Sequence, residues 1–203
     1  MIKVGLTGGY ASGKSFVARE LERLGCRLIY ADKLGHAVLE PTGEAYALSV
    51  EEFGRDILAS DGTIDRKKLG ALVFRSPELL EKLSSFVHPA VFRLEERLLG
   101  EFEREDPHAI AVIEAAILIE TGRNKVFDRL ILTACNEEVQ IARGMHRDGL
   151  TREEVLARLS KQMPTEEKKR YADFVIDTDG PKEQTLERVR NVFAELKSLE
   201  QAQ

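Results

Sequence analysis

Cysteine is scarce in this sequence, with two among 203 residues, at positions 26 and 135. No disulfide framework can be built from such a pair. Neither cysteine has a second ligand at metal-binding spacing, so both are expected to be reduced, packed thiols. No apolar run approaches the length needed to span a bilayer. The opening MIKVGL reaches Gly8 too soon to serve as a signal peptide. Basic residues are not in excess: 30 Lys and Arg against 35 Asp and Glu leave a net charge of −5. A dedicated nucleic-acid binder would need a concentrated basic footprint, which argues against that class. A local basic pocket for a small acidic substrate remains compatible with this balance. Internal repeats and low-complexity linkers are also missing. The expectation is a soluble, cytoplasmic protein with no nucleic-acid or membrane partner.

What is present is a core-forming chain, 43% apolar and 32% charged. Its length suits one α/β domain with a sub-lobe, or two small domains. Ile2 to Leu6 reads as a buried strand that runs into Thr7-Gly8-Gly9. From Ser15, the residues Phe16, Val17, Leu21 and Leu24 recur at helical spacing until Gly25, and Arg27 to Tyr30 reads as a second strand. Strand, glycine-rich loop, helix, strand is the opening of a parallel α/β unit. Between about Ala31 and Glu105 the pattern is helical, with a turn at His88-Pro89 leading into a helix that carries Val91, Leu94, Leu98 and Phe102. Strands are predicted again at Ala109–Ile113, Arg129–Thr133 and Phe174–Asp177. Helices are predicted from Glu137 to about Arg147, from a capping box at Thr151 and Glu154, and from Glu183 to Leu199. The last residues, 200–203, read as frayed.

The stretch Gly8 to Ser15, GGYASGKS, matches G-x-x-x-x-G-K-[ST] in full. Its glycines let successive backbone N–H groups turn toward phosphate oxygens, and the helix that follows adds its positive end to the same anion. Lys14 can reach the β- and γ-phosphates, and the Ser15 hydroxyl can ligate Mg²⁺. A guanine-reading N-K-x-D is missing, since Asn124-Lys125-Val126-Phe127-Asp128 is one residue too long. The D-x-x-G strings fall too early, at Asp32, or too late, at Asp177, for a switch region.

Asp32 stands just past the second strand, where open α/β sheets place their ligands. It could take a proton from a hydroxyl that attacks the γ-phosphate, or it could simply cap the helix from Lys33 to Leu39. Arg143 and Arg147 lie four apart on one predicted helix, one turn after Gln140, and could clamp transferring phosphates. Spacing alone favours a solvated surface row, and the same holds for Arg158 and Gln162. His88 suits a structural role. Glu114 ends the third strand in the manner of a Walker B carboxylate, with Glu in place of Asp, and is a candidate to meet Mg²⁺ through its bound water.

Taken in order, these segments resemble the dephospho-coenzyme A kinase family over nearly the whole chain. The resemblance rests on the phosphate loop, Ala31-Asp32, Asp61-Gly62-Thr63-Ile64-Asp65-Arg66, His88-Pro89 and Ile117-Leu118-Ile119-Glu120. It continues through Gln140, Arg143, Arg147-Asp148-Gly149-Leu150-Thr151, Arg158, Gln162, Lys168 and Ala172-Asp173-Phe174-Val175-Ile176. It implies a P-loop fold with a mainly parallel sheet flanked by helices, and transfer of the γ-phosphate of ATP to the ribose 3′-hydroxyl of dephospho-coenzyme A. Under it, Asp32 is the general base, with Lys14 and Arg147 as further catalytic residues. Gly8, Gly9, Ala11, Ser12, Gly13, Lys14, Ser15, Phe16, Arg143 and Thr178 hold ATP, and Ser15 and Glu114 serve Mg²⁺. One kinase domain over 1–203 is implied, as a monomer or weak homo-oligomer. Its nucleotide-binding core would be 1–30, 107–136 and 172–203, its helical substrate lobe 31–106 and its lid 137–171. The chain departs from the family's usual residues at Tyr30, Ala11, Phe16, Ala116 and Thr178. Another small-molecule P-loop kinase, of nucleoside or nucleotide-monophosphate type, and a non-catalytic nucleotide-binding regulator are the competing readings.

Overall fold

The computed structural model describes residues 1–202. Five strands form one sheet in the order β2-β3-β1-β4-β5. They are β1 (Ile2–Gly8), β2 (Arg27–Tyr30), β3 (Ile110–Glu114), β4 (Arg129–Ala134) and β5 (Phe174–Asp177). β1 pairs in parallel with β3 and β4, and β4 with β5. Along β1 only Lys3 escapes burial, as expected of a central strand covered on both faces. Residues 1–29 and 101–202 make one compact unit around this sheet, and Tyr30–Gly100 make a second.

In the first unit, α1 (Lys14–Arg23) and α9 (Lys182–Gln201) pack on each other and on the sheet. Val17, Ala18 and Leu21 line the inner stripe of α1, and Val189, Val192 and Leu196 that of α9. The end of α9 corrects the expected fraying: the helix runs to Gln201, because Glu200 is buried and its carboxylate meets His108 Nδ1 at 2.7 Å. Gln203 lies outside the described residues. Cys26 is buried and its thiol is pushed up to about 12 by loss of hydration, whereas Cys135 is only half-buried. Both are free thiols.

The second unit holds α2 (Ala31–Ala37), α3 (Tyr46–Phe53), α4 (Arg66–Val73) and the greater part of α5 (Pro77–Glu105). Its one extended pairing is an isolated antiparallel bridge between Leu58 and Ile64. Two apolar clusters hold it, one around Val38, Ala45, Ala90 and Val91, the other around Ile57, Ile64, Leu69 and Val73. His88-Pro89 is not a turn: Pro89 lies inside α5. Proline there forgoes one hydrogen bond and crowds the carbonyl four residues back, a cost of about 3 kcal/mol. The helix persists because Phe86 and Val87 before the proline, and Ala90 and Val91 after it, pack into the same cluster.

Candidate active site

The phosphate loop grows directly from β1. Gly8 has no room for a side chain: a Cβ there would lie 2.1 Å from Thr133 Oγ1 and 2.6 Å from Ser12 Oγ. Those two hydroxyls meet at 2.7 Å and lock the loop to β4. Ala11 carries a φ of 56°, in the left-handed region, where the motif's usual glycine would be unstrained. Gly13, with φ 88°, starts α1 as its N-cap. The Phe16 and Val17 N–H groups donate back to Gly13 O at 3.0 and 3.2 Å, and the positive end of α1 follows directly on the loop.

Lys14 Nζ donates to Gly8 O at 2.9 Å and Gly9 O at 3.1 Å, which folds the ammonium over the loop. Ser12, Ser15 and Phe16 share the lining of a cleft of about 870 Å³ with Arg143, His146 and Arg147. Ser15 is exposed and Phe16 half-buried. Thr178, just past β5, is buried. Its Oγ1 donates to Ser12 O at 2.9 Å and accepts from Arg143 Nη1 at 3.1 Å, while Arg143 Nη2 donates to Thr178 O at 2.6 Å. The departure to threonine therefore ties the loop to the arginine.

Both arginines come from α6 (Glu137–Asp148). Asn136 caps this helix by accepting from the Glu138 N–H at 2.9 Å, while its own N–H reaches Asp179 Oδ1 at 2.7 Å. Acidic residues in the first turn and His146 and Arg147 in the last suit the helix dipole. The following helix, α7 (Arg152–Leu159), has the complete capping box expected at Thr151 and Glu154, and the single-turn α8 (Thr165–Lys168) comes after it. Arg147 is bidentate to Asp148, with both bonds at 2.8 Å. That guanidinium, joined by the Tyr10 hydroxyl, holds the Asp148 carboxyl well below the ordinary carboxylate range.

Glu114 ends β3 in register with Leu6 of β1, partly buried, and beyond it Ala116 O accepts from Thr7 Oγ1 at 3.2 Å. Thus the loop residues, Glu114, Arg143, Arg147 and Thr178 all belong to one unit. Asp32 belongs to the other. It is exposed in the first turn of α2, whose N-cap is Tyr30, so the capping alternative for Asp32 falls away. No group of three or more His, Cys, Asp or Glu able to hold a metal occurs among the described residues. No helix among them is long and apolar enough to cross a membrane.

Sequence reasoning passed over Tyr10, at a position the loop motif leaves open. The structure places its backbone between two glutamines: Gln140 Nε2 donates to its carbonyl, and its N–H donates to Gln162 Oε1, each at 2.7 Å. The only signal available was the placement of Gln140 and Gln162 in segments that also carry arginines. Neither spacing named the partner.

Comparison with known proteins identifies relatives of the whole chain. The family model described as dephospho-CoA kinase matches residues 2–184. A dephospho-CoA kinase of Geobacter metallireducens is 43% identical over 96% of this chain and 96% of its own. One of Syntrophus aciditrophicus is 40% identical over 100% of this chain and 86% of its own. A crystal structure from Thermus thermophilus superposes with a TM-score of 0.80 at 36% identity, covering 96% of this chain and 97% of the other.

Proposed function

The chain belongs to the dephospho-CoA kinase family, and from that premise we propose that it transfers the γ-phosphate of ATP to the ribose 3′-hydroxyl of dephospho-coenzyme A. The products are coenzyme A and ADP. The observation that carries the nucleotide half is the cradle at Gly8, which any Cβ would fill. Phosphoryl transfer asks a protein for positioning and charge neutralisation more than for covalent help.

In this reading the loop amides and Lys14 hold the β- and γ-phosphates. Arg143 and Arg147 line the same cleft and neutralise charge on the phosphoryl group in transit. Asp32 accepts the proton of the attacking hydroxyl. Mg²⁺ suits the oxygen donors present: the exposed Ser15 hydroxyl would ligate it, with Glu114 reaching it through water. When bound, the ion offsets charge on the β- and γ-oxygens. We assign the unit Tyr30–Gly100 to the acceptor. The segment 137–171 is assigned as a lid that excludes water during transfer. A cytoplasmic monomer or weak homo-oligomer, acting without nucleic acid or membrane, completes the proposal. The net charge of −5 supports the lack of a nucleic-acid partner.

The test is ADP release from ATP-Mg²⁺ with dephospho-coenzyme A, followed by mass analysis for one added phosphoryl group on the ribose. Turnover with a nucleoside monophosphate and none with dephospho-coenzyme A would overturn the assignment in favour of another small-molecule kinase. Nucleotide binding without turnover of either would indicate a regulator.

A further inference from the structure

Tyr10 is placed where the loop motif demands only a backbone, yet its side chain organises the arginines of the segment beyond β4. The guanidinium carbons of Arg147 and Arg158 lie 5.1 and 5.3 Å from the centroid of its ring. Its hydroxyl donates to Asp148 Oδ2, on the carboxylate that Arg147 grips twice and that Arg158 Nη1 approaches at 3.9 Å. The ring has space against α6 because residue 144 is glycine. A Cβ at Gly144 would lie 2.7 Å from Tyr10 Cε1 and 3.0 Å from Val155 Cγ2. At the same time Gln140 and Gln162 clasp the Tyr10 peptide from both sides.

Both arginine side chains are more than half exposed, Arg147 at 59% and Arg158 at 53%. Long cationic chains at that exposure keep much of their rotamer freedom unless something holds them. An aromatic face attracts guanidinium groups, and the Asp148 carboxylate between the two arginines offsets their mutual repulsion. Anchored in the phosphate loop itself, Tyr10 ties the position of both guanidiniums to the position of the bound phosphates.

We propose that Tyr10 is a positioning residue for phosphoryl transfer, fixing Arg147 and Arg158 beside the phosphate loop through its ring, with Gly144 providing the space. This rests on the reading of Arg147 as a neutraliser of phosphoryl charge, and it adds Arg158 to that role.

The experiment measures kcat, KM for both substrates, the ATP dissociation constant and the melting temperature. The variants are Tyr10→Ala, Tyr10→Phe, Gly144→Ala, the Tyr10→Ala/Gly144→Ala double variant and Arg147→Ala. Tyr10→Ala is expected to lower kcat about tenfold with ATP affinity held within about threefold. Tyr10→Phe keeps the ring and rescues kcat to within about threefold of the original. Gly144→Ala reproduces the loss by displacing the ring, and in the Tyr10→Ala background it changes kcat by less than about twofold. Three results would overturn the proposal: unchanged kcat in Tyr10→Ala, ATP affinity falling in step with kcat, or a Gly144→Ala cost independent of Tyr10. Loss in Arg147→Ala with none in Tyr10→Ala removes the positioning role and leaves the arginine's own role standing. Full activity in Arg147→Ala removes both. Melting and ATP binding show that each variant is folded.

Discussion

The ammonium of Lys168 lies wholly out of water, with 0% of its side chain exposed, against a Glu120 side chain that keeps 21%. Nζ meets Glu120 Oε1 at 2.8 Å and donates to Ala116 O at 3.3 Å. At that separation the gross attraction is about 6 kcal/mol for an effective dielectric of about 20, and desolvation of the cation offsets several kcal/mol of it. The unequal burial makes the two halves of the pair unequal. Removing the acid by Glu120→Ala leaves a buried cation with one carbonyl for company, and is expected to cost about 3–5 kcal/mol. Removing the cation by Lys168→Met leaves a carboxylate that water reaches and that still accepts from the Met163 N–H at 3.2 Å. Ala116 O likewise keeps the Thr7 hydroxyl. That change should cost only about 1–2 kcal/mol. Urea unfolding of the whole chain, followed by circular dichroism with the m-value checked for constancy, reads both numbers. In melting experiments the contrast is a fall of about 10 °C or more against about 5 °C. A Lys168→Met loss equal to or larger than that of Glu120→Ala would refute the reasoning, because it would mean that burial does not decide which partner is stranded.

Asp32→Asn should lower kcat by a factor of about 10² or more while ATP binding persists, since general-base help is worth about 10²–10⁴; activity within a few-fold of the original would remove the base from this position. Gly8→Ala should abolish tight ATP binding measured by calorimetry, because its methyl would sit 2.1 Å from Thr133 Oγ1 and force the loop off β4; unimpaired affinity would contradict that geometry. The folded-state titration of Asp148 lies below its ordinary 3.8, with the Arg147 guanidinium as the main cause. Its stabilising contribution is therefore complete above the ordinary carboxylate range and is lost as pH falls below it. Asp148→Asn should accordingly flatten the acid limb of a stability-against-pH curve while leaving the neutral region less affected, and an unchanged acid limb would count against the pairing.

Much of the architecture was legible because it is written over short distances. The apolar run before Gly8, the period of the helix after it and the capping box at Thr151 and Glu154 each depend on residues within a few positions of one another. Pro89 misled for the same reason. Local rules make it a boundary, and only the shared burial of Phe86, Val87, Ala90 and Val91 carries α5 through it. Asp32 was ambiguous between cap and base from spacing alone, and the structure removes only the cap, because the helix begins one residue before it.

By itself, then, the sequence determined the phosphate loop, the alternation of strands and helices around it, and the family, since all three live in ordered local motifs. Tertiary structure alone decided which side chains converge. Tyr10 meets Arg147, Asp148 and Arg158, Gly8 is hemmed in by Thr133, and Lys168 is sealed against Glu120. Each of these contacts joins positions far apart along the chain, where spacing carries no information and only packing in three dimensions selects the partner.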